Sequence, residues 1–248
     1  MNGGLSARIL RTLAIADQAM LGRSLRANLG GRRLAVCFHR VGAARDKLWM
    51  PAGEIDRLIG FLFEAAGALT VCFDDGYRDG AEYVLSRAPR HAQIEWLFFV
   101  CPQKTEAHDE PDLAELELCR AIGQLPNAAL GNHTNLHQRP TLLLREQSRE
   151  EFARSMRDFQ RLFGAQRHFA IPFGVPRADF AGEHVEQLRA LGDFLIWSTE
   201  PRPFHARERR PGALLPRFAV DGTRTWKESA VHMALHALRS RIAGEVRP

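Results

Sequence analysis

The chain has 248 residues, 45% of them hydrophobic and 25% charged, which excludes a disordered or fibrous chain and suffices for one large core. Its formal net charge is +5, and with lysine confined to Lys47, Lys104 and Lys227, arginine carries nearly all the positive charge. That excess favours anionic partners, but no nucleic-acid-binding motif accompanies it, and no apolar run approaches a membrane span of ~18 residues.

From the N-terminus, residues 1–33 read as a helical extension. Ile9, Leu13, Ala16 and Met20 recur at helical spacing, while Arg8, Arg11, Arg23 and Arg26 supply charge. Such an amphipathic helix either docks on the domain or lies on an anionic membrane surface. It lacks the unbroken apolar core and cleavage site of a signal peptide. Residues 34–248 read as one domain in which short apolar runs alternate with longer mixed segments. Strands are expected at Leu34–Phe38, Leu69–Phe73, Ile94–Val100, Ala129–Asn132, His168–Ile171, Phe194–Ser198 and Leu214–Val220. Helices are expected at Ala52–Ala66, Ala81–Ser86, Pro111–Gly123, Leu144–Phe163, His184–Leu191 and Trp226–Ile242. The pattern predicts an α/β fold, a single imperfect βα barrel, with its chemistry at the C-terminal strand ends. Cys37, Cys72 and Cys101 lie in or beside strand-like runs, and with Cys119 form no C-x-x-C pair. They read as reduced thiols in a cytoplasmic protein.

The chemistry concentrates in two places. Asp74 and Asp75 close the Leu69–Phe73 run and precede Gly76. Adjacent carboxylates resist joint ionisation unless a cation or hydrogen bonds compensate, and a strand end points successive side chains in different directions. One carboxylate can then bind a metal while its neighbour faces a substrate. Further on, His133 and His137 stand at an i, i+4 spacing, which on one helical turn places both rings on one face. Two imidazoles and a carboxylate leave coordination positions open for water, the composition of a hydrolytic metal site.

Three segments in order, Phe73-Asp74-Asp75-Gly76, Gly131-Asn132-His133-Thr134-x-x-His137 and Phe169-Ala170-Ile171-Pro172-Phe173-Gly174, resemble the motifs of the polysaccharide deacetylases, carbohydrate esterase family four. Phe38-His39-Arg40-Val41 and Leu215-Pro216-Arg217-Phe218 resemble segments of its exopolysaccharide-linked members. The resemblance runs from Leu34 to Asp221. It implies a distorted (β/α)7 barrel that hydrolyses N-acetyl groups on a sugar or glycan precursor, lipid-linked or free, at a divalent metal, most often zinc. Carried over by motif, Asp75, His133 and His137 would bind the metal and Asp74 would be the general base. The Tyr77 N–H would hold the oxyanion, and Pro172, Phe173 and Gly174 would wall the substrate groove.

The sequence also departs from the family pattern. Ala170 and Ile171 stand where many members carry an Arg that orients the base, and Arg217 is expected to reach Asp74 in its stead. The fourth motif is not recognisable, with Phe194-Leu195-Ile196-Trp197 as a stand-in. The general acid is unassigned among His205, His232 and His236, and His39 either packs or lines the site. These gaps leave a second reading, a non-catalytic member that binds a glycan or scaffolds a biosynthetic complex.

Overall fold

A computed structural model describes residues 18–44, 46–108 and 110–245. Ile9, Leu13 and Ala16 of the expected N-terminal helix lie outside the described residues. The helix α1 at Gln18–Leu29 follows, with Met20 exposed and Leu25 and Leu29 buried against α2 (Ala52–Ala66) and α8 (Trp226–Glu245).

Eight parallel strands form one sheet in the order β10-β1-β4-β5-β6-β7-β8-β9. In chain order these are β1 Leu34–Phe38, β4 Leu69–Phe73, β5 Glu95–Val100, β6 Ala128–Asn132, β7 His168–Ala170, β8 Leu195–Trp197, β9 Leu214–Leu215 and β10 Phe218–Ala219. A separate pair, β2 Arg40–Val41 and β3 Trp49–Met50, follows β1. Between strands run α2, α3 (Arg78–Arg87), α4 (Pro102–Ala107), α5 (Leu116–Gly123), α6 (Arg145–Phe163) and α7 (Gly182–Arg189). This is the distorted βα barrel that the alternating pattern implies.

Period-2 alternation sorts the strand residues. Leu34, Val36, Phe38, Leu69, Val71, Phe73, Trp96, Phe98 and Val100 meet the helices in one cluster. Ala35, Cys37, Cys72, Leu97, Phe99, Ala170, Trp197 and Leu215 fill the interior in another. The four cysteines are buried and free. The same parity carries Asp74 (after Thr70 and Cys72) and Arg217 (after Leu215) inward at the mouth.

One expected strand is corrected. Leu214–Val220 is not continuous: β9 pairs with β8 and β10 pairs with β1, so the segment crosses the seam between the two sheet edges. Pro216 sits at the break, and having no N–H it cannot extend a ladder. Only Pro216 and Arg217 separate the two strands, which places Arg217 at the seam. Helix α5 begins at Leu116 rather than Pro111, because Leu113 bridges Tyr77 and Ala114 N–H bonds Gly76 O (2.9 Å). The short α4 has no periodic apolar face and left no sequence signal.

Candidate active site

Asp74, Asp75 and Gly76 make the turn that leaves β4. Asp75 (φ 71°) and Gly76 (φ 79°) are both left-handed, a conformation that costs a non-glycine residue ~1–2 kcal/mol. The reversal separates the two carboxylates. Asp74 is fastened from behind: its N–H bonds Phe38 O (3.0 Å), and its Oδ1 and Oδ2 accept both Nη groups of Arg217 at 2.7 and 2.9 Å. Arg217 is fully buried, donates Nε–H to Ser198 O (3.3 Å) and lies over the Phe99 ring at 5.0 Å. Burial works to raise the Asp74 carboxyl, but Arg217 and then His133 outweigh it and hold it below its ordinary value. Asp74 is therefore an anion at neutral pH.

Asp75 turns the other way. Its Oδ1 lies 3.3 Å from His133 Nε2 and 3.0 Å from His137 Nε2. His133 Nδ1 stands 2.9 Å from Ala170 O, an acceptor, so that nitrogen carries the proton and Nε2 keeps its lone pair for ligation. The Asp75 Oδ1 is buried and receives no directed hydrogen bond. An orphaned carboxylate oxygen between two imidazole nitrogens, all mutually within 4.8 Å, fits a shared divalent cation.

The two histidines do not share a helical turn, contrary to the reading from their i, i+4 spacing. Residues 133–137 form a loop in which Thr134 (φ 63°) and His137 (φ 51°) are left-handed. Side chains hold it: Asn132 Oδ1 accepts Thr134 N–H (2.8 Å), and Thr134 Oγ1 accepts His137 N–H (3.1 Å). Gly131 is required beneath it, since an added Cβ would stand 2.3 Å from the Phe99 ring.

The cleft over these groups measures about 250 Å³. Tyr77 lines one side; the flanking backbone bonds are made by Arg78 and Ala114 N–H, leaving the Tyr77 N–H out of them. Arg40, stacked between Trp49 (3.9 Å) and Tyr77 (4.3 Å) and bonded to Asp79 and Asp112, stiffens this wall. Phe173 forms the other wall, left-handed (φ 60°), 45% exposed, with its ring 5.0 Å from that of His137. Thr199 locks its loop by donating N–H to Gly174 O (2.7 Å) and Oγ1–H to Phe173 O (2.8 Å). Pro172 is buried behind it.

The structure thus brings together Asp74, Asp75, Tyr77, His133, His137, Phe173 and Arg217. None of the three histidines weighed for the acid is in the cleft; His39 is, half-buried, with a ring nitrogen within 4.8 Å of the Asp74 carboxylate. His232 and His236 pair with each other on α8 (Nε2 to Nε2 3.2 Å), and His205 is exposed in the loop after β8. Sequence reasoning left His39 undecided and missed Glu151, a buried carboxylate on α6 that bonds the histidine loop. Both carried signals: His39 follows β1 at a strand end, and Glu151 falls at helical spacing with Ser155 and Leu162 on the stripe that α6 turns inward. A larger recess of about 780 Å³ beside Arg189, Arg210 and Gly212 gathers no comparable donor set.

The sequence model for polysaccharide deacetylases matches residues 64–192, just over half of the chain. The chain belongs to the polysaccharide deacetylase family. Its fold is similar to that of IcaB from Ammonifex degensii (TM-score 0.63, 21% identity, covering 84% of this chain and 98% of that one). It is similar too to the Streptococcus pyogenes deacetylase PplD in complex with acetate (TM-score 0.67, 12% identity, 82% and 98% covered). A de-N-acetylase from Aggregatibacter actinomycetemcomitans matches at TM-score 0.59 with 13% identity, over 82% and 99% of the chains. No curated protein sequence matches significantly. Arg217 and His39 lie outside the family match.

Proposed function

We propose that the protein is a metal-dependent carbohydrate N-deacetylase acting on an N-acetylated sugar or glycan precursor in surface polysaccharide assembly. The observation that carries this reading is the orphaned Asp75 Oδ1 facing the Nε2 atoms of His133 and His137, beside a second carboxylate held apart by Arg217. Asp75, His133 and His137 would hold the metal, with zinc as the ion that a two-imidazole, one-carboxylate set suits best. Bound there, it supplies Lewis acidity, polarising the acetamide carbonyl and acidifying water.

The remaining steps fall to the chain. Asp74, ionised by Arg217, takes a proton from the attacking water as its oxygen bonds the carbonyl carbon. The Tyr77 N–H donates to the carbonyl oxygen as it gains charge. His39 gives a proton to the nitrogen as the C–N bond breaks, releasing acetate and the free amine. Tyr77 and Phe173 flank the sugar with aromatic faces. The non-catalytic reading rested on the missing orienting Arg and the missing acid; Arg217 paired to Asp74 and His39 in the cleft support the enzyme over it.

The test is acetate release from N-acetylglucosamine oligosaccharides by the zinc-loaded protein. Turnover that falls ~10²–10⁴-fold in Asp74→Asn supports the assignment. A zinc-loaded wild type that binds the oligosaccharide without releasing acetate would return the non-catalytic reading.

A further inference from the structure

The histidine loop is built on α6 in an unusual way. The face that α6 turns inward carries Ser148, Glu151, Phe152, Ser155, Phe159 and Leu162, all buried. At this spacing a helix of a globular domain ordinarily presents apolar residues throughout. Half of these positions are polar, and one is a carboxylate only 7% exposed.

Glu151 and Ser155, with Asp158 beyond them, converge on one segment, while Ser148 bonds Gln187 Oε1 (2.9 Å) instead. Glu151 Oε1 accepts the N–H of Asn135 (2.7 Å) and of Leu136 (2.9 Å). One turn on, Ser155 Oγ accepts from Asn132 Nδ2 (3.3 Å), and beyond it Asp158 Oδ2 accepts from Asn135 Nδ2 (2.7 Å). Asn135 Oδ1 in turn accepts Gln103 N–H (3.2 Å). Within the described residues the Glu151 carboxylate is held by backbone donors and no ion pair. The residues it grips lie between the two left-handed residues, Thr134 and His137, and so fix how the second imidazole is aimed. An unsupported loop would relax those torsions, and His137 would swing away from Asp75.

We propose that Glu151 is a positioning residue for the metal: its Oε1 clamps the Asn135–Leu136 backbone and thereby holds His137 in ligating geometry with Asp75 and His133. This rests on the metal-site reading above. The function required is that of an acceptor at one point. Glutamine at 151 keeps an Oε1 there, whereas aspartate keeps the charge but withdraws the acceptor by one methylene.

The experiment is a zinc titration of the full chain in competition with a chromophoric chelator, alongside thermal unfolding of the metal-free proteins. Glu151→Ala and Glu151→Asp are expected to weaken zinc about 10–100-fold, the usual effect of losing a partner that orients a ligand, and Glu151→Gln to stay within a few-fold of wild type. Phe163→Leu at the end of the same helix lowers Tm without touching the loop, and its zinc affinity should be unchanged. Wild-type affinity in Glu151→Asp, or a loss in Phe163→Leu matching that in Glu151→Ala, would overturn the proposal. If Glu151→Ala does not fold, the Asp and Gln pair decides between charge and acceptor position. A wild-type chain that binds no zinc overturns the metal reading itself, and a zinc-binding wild type with an equally tight Glu151→Asp overturns only the clamp.

Discussion

The buried pair of Asp74 and Arg217 can be measured by a double-mutant cycle. Both side chains are out of solvent, and two hydrogen bonds of 2.7 and 2.9 Å join them. Charges ~4 Å apart at an effective dielectric near 20 attract by ~4 kcal/mol. Removing one partner of such a pair typically costs ~3–5 kcal/mol, because the other is left buried and unpaired. Asp74→Asn should therefore strand the guanidinium, and Arg217→Met should strand the carboxylate, each lowering stability in urea by that amount. The double variant buries neither charge and should lose far less than the sum, giving a coupling of about 3 kcal/mol or more. Arg217→Lys should recover only part of the loss, since an ammonium cannot form the two-pronged contact. Losses that add within ~0.5 kcal/mol would show that the two groups do not support each other, and the argument that Arg217 keeps the base ionised would fail.

Three further outcomes are expected. His168 is buried inside the barrel with its Nδ1 accepting Trp197 Nε1–H (3.2 Å), and burial above all lowers its pKa from 6.5 to about 4. The unfolded chain then takes up a proton that the folded one refuses, so stability should fall as pH drops from about 6.5 to about 4, by roughly 3 kcal/mol from this group. His168→Gln keeps the acceptor and should flatten that part of the urea midpoint profile; equal slopes in both proteins would refute the assignment. Gly131→Ala places a Cβ 2.3 Å from the Phe99 ring and 3.2 Å from His168 Cβ, so Tm should drop by the equivalent of ~1–3 kcal/mol, and Phe99→Leu should return part of it. An unchanged Tm in Gly131→Ala would show that Phe99 moves freely beneath Arg217. Zinc at 100 times its Kd should stabilise the wild type by ~2.7 kcal/mol in thermal unfolding and leave His137→Ala unaffected, whereas an equal shift in both would put the ion elsewhere.

Much of this was legible in the residues because alternation and helical spacing are local. β1, β4 and α2 fall where the apolar pattern puts them. The inward parity of Thr70 and Cys72 already aims Asp74 into the barrel mouth. What was not legible depends on contacts far apart in sequence. The seam at Pro216 follows from closure of the sheet, which no window of residues records. The i, i+4 histidines suggested a helix because spacing alone carries no backbone sign. The left-handed torsions at Thr134 and His137 are imposed by Asn132, Thr134 and Glu151, the last from another element. The loops flanking the cleft owe their shape to similar long-range bonds, such as those from Thr199 to residues 173 and 174.

The most direct test of the account is anomalous diffraction at the zinc edge from crystals of the zinc-loaded protein. A single strong peak is expected with Asp75 Oδ1, His133 Nε2 and His137 Nε2 each at ~2.0–2.2 Å, and with Asp74 still paired to Arg217 rather than ligating. A peak elsewhere on the molecule, or one in the cleft that draws Asp74 away from Arg217 and leaves either histidine unligated, would contradict the site and the division of labour between the two carboxylates.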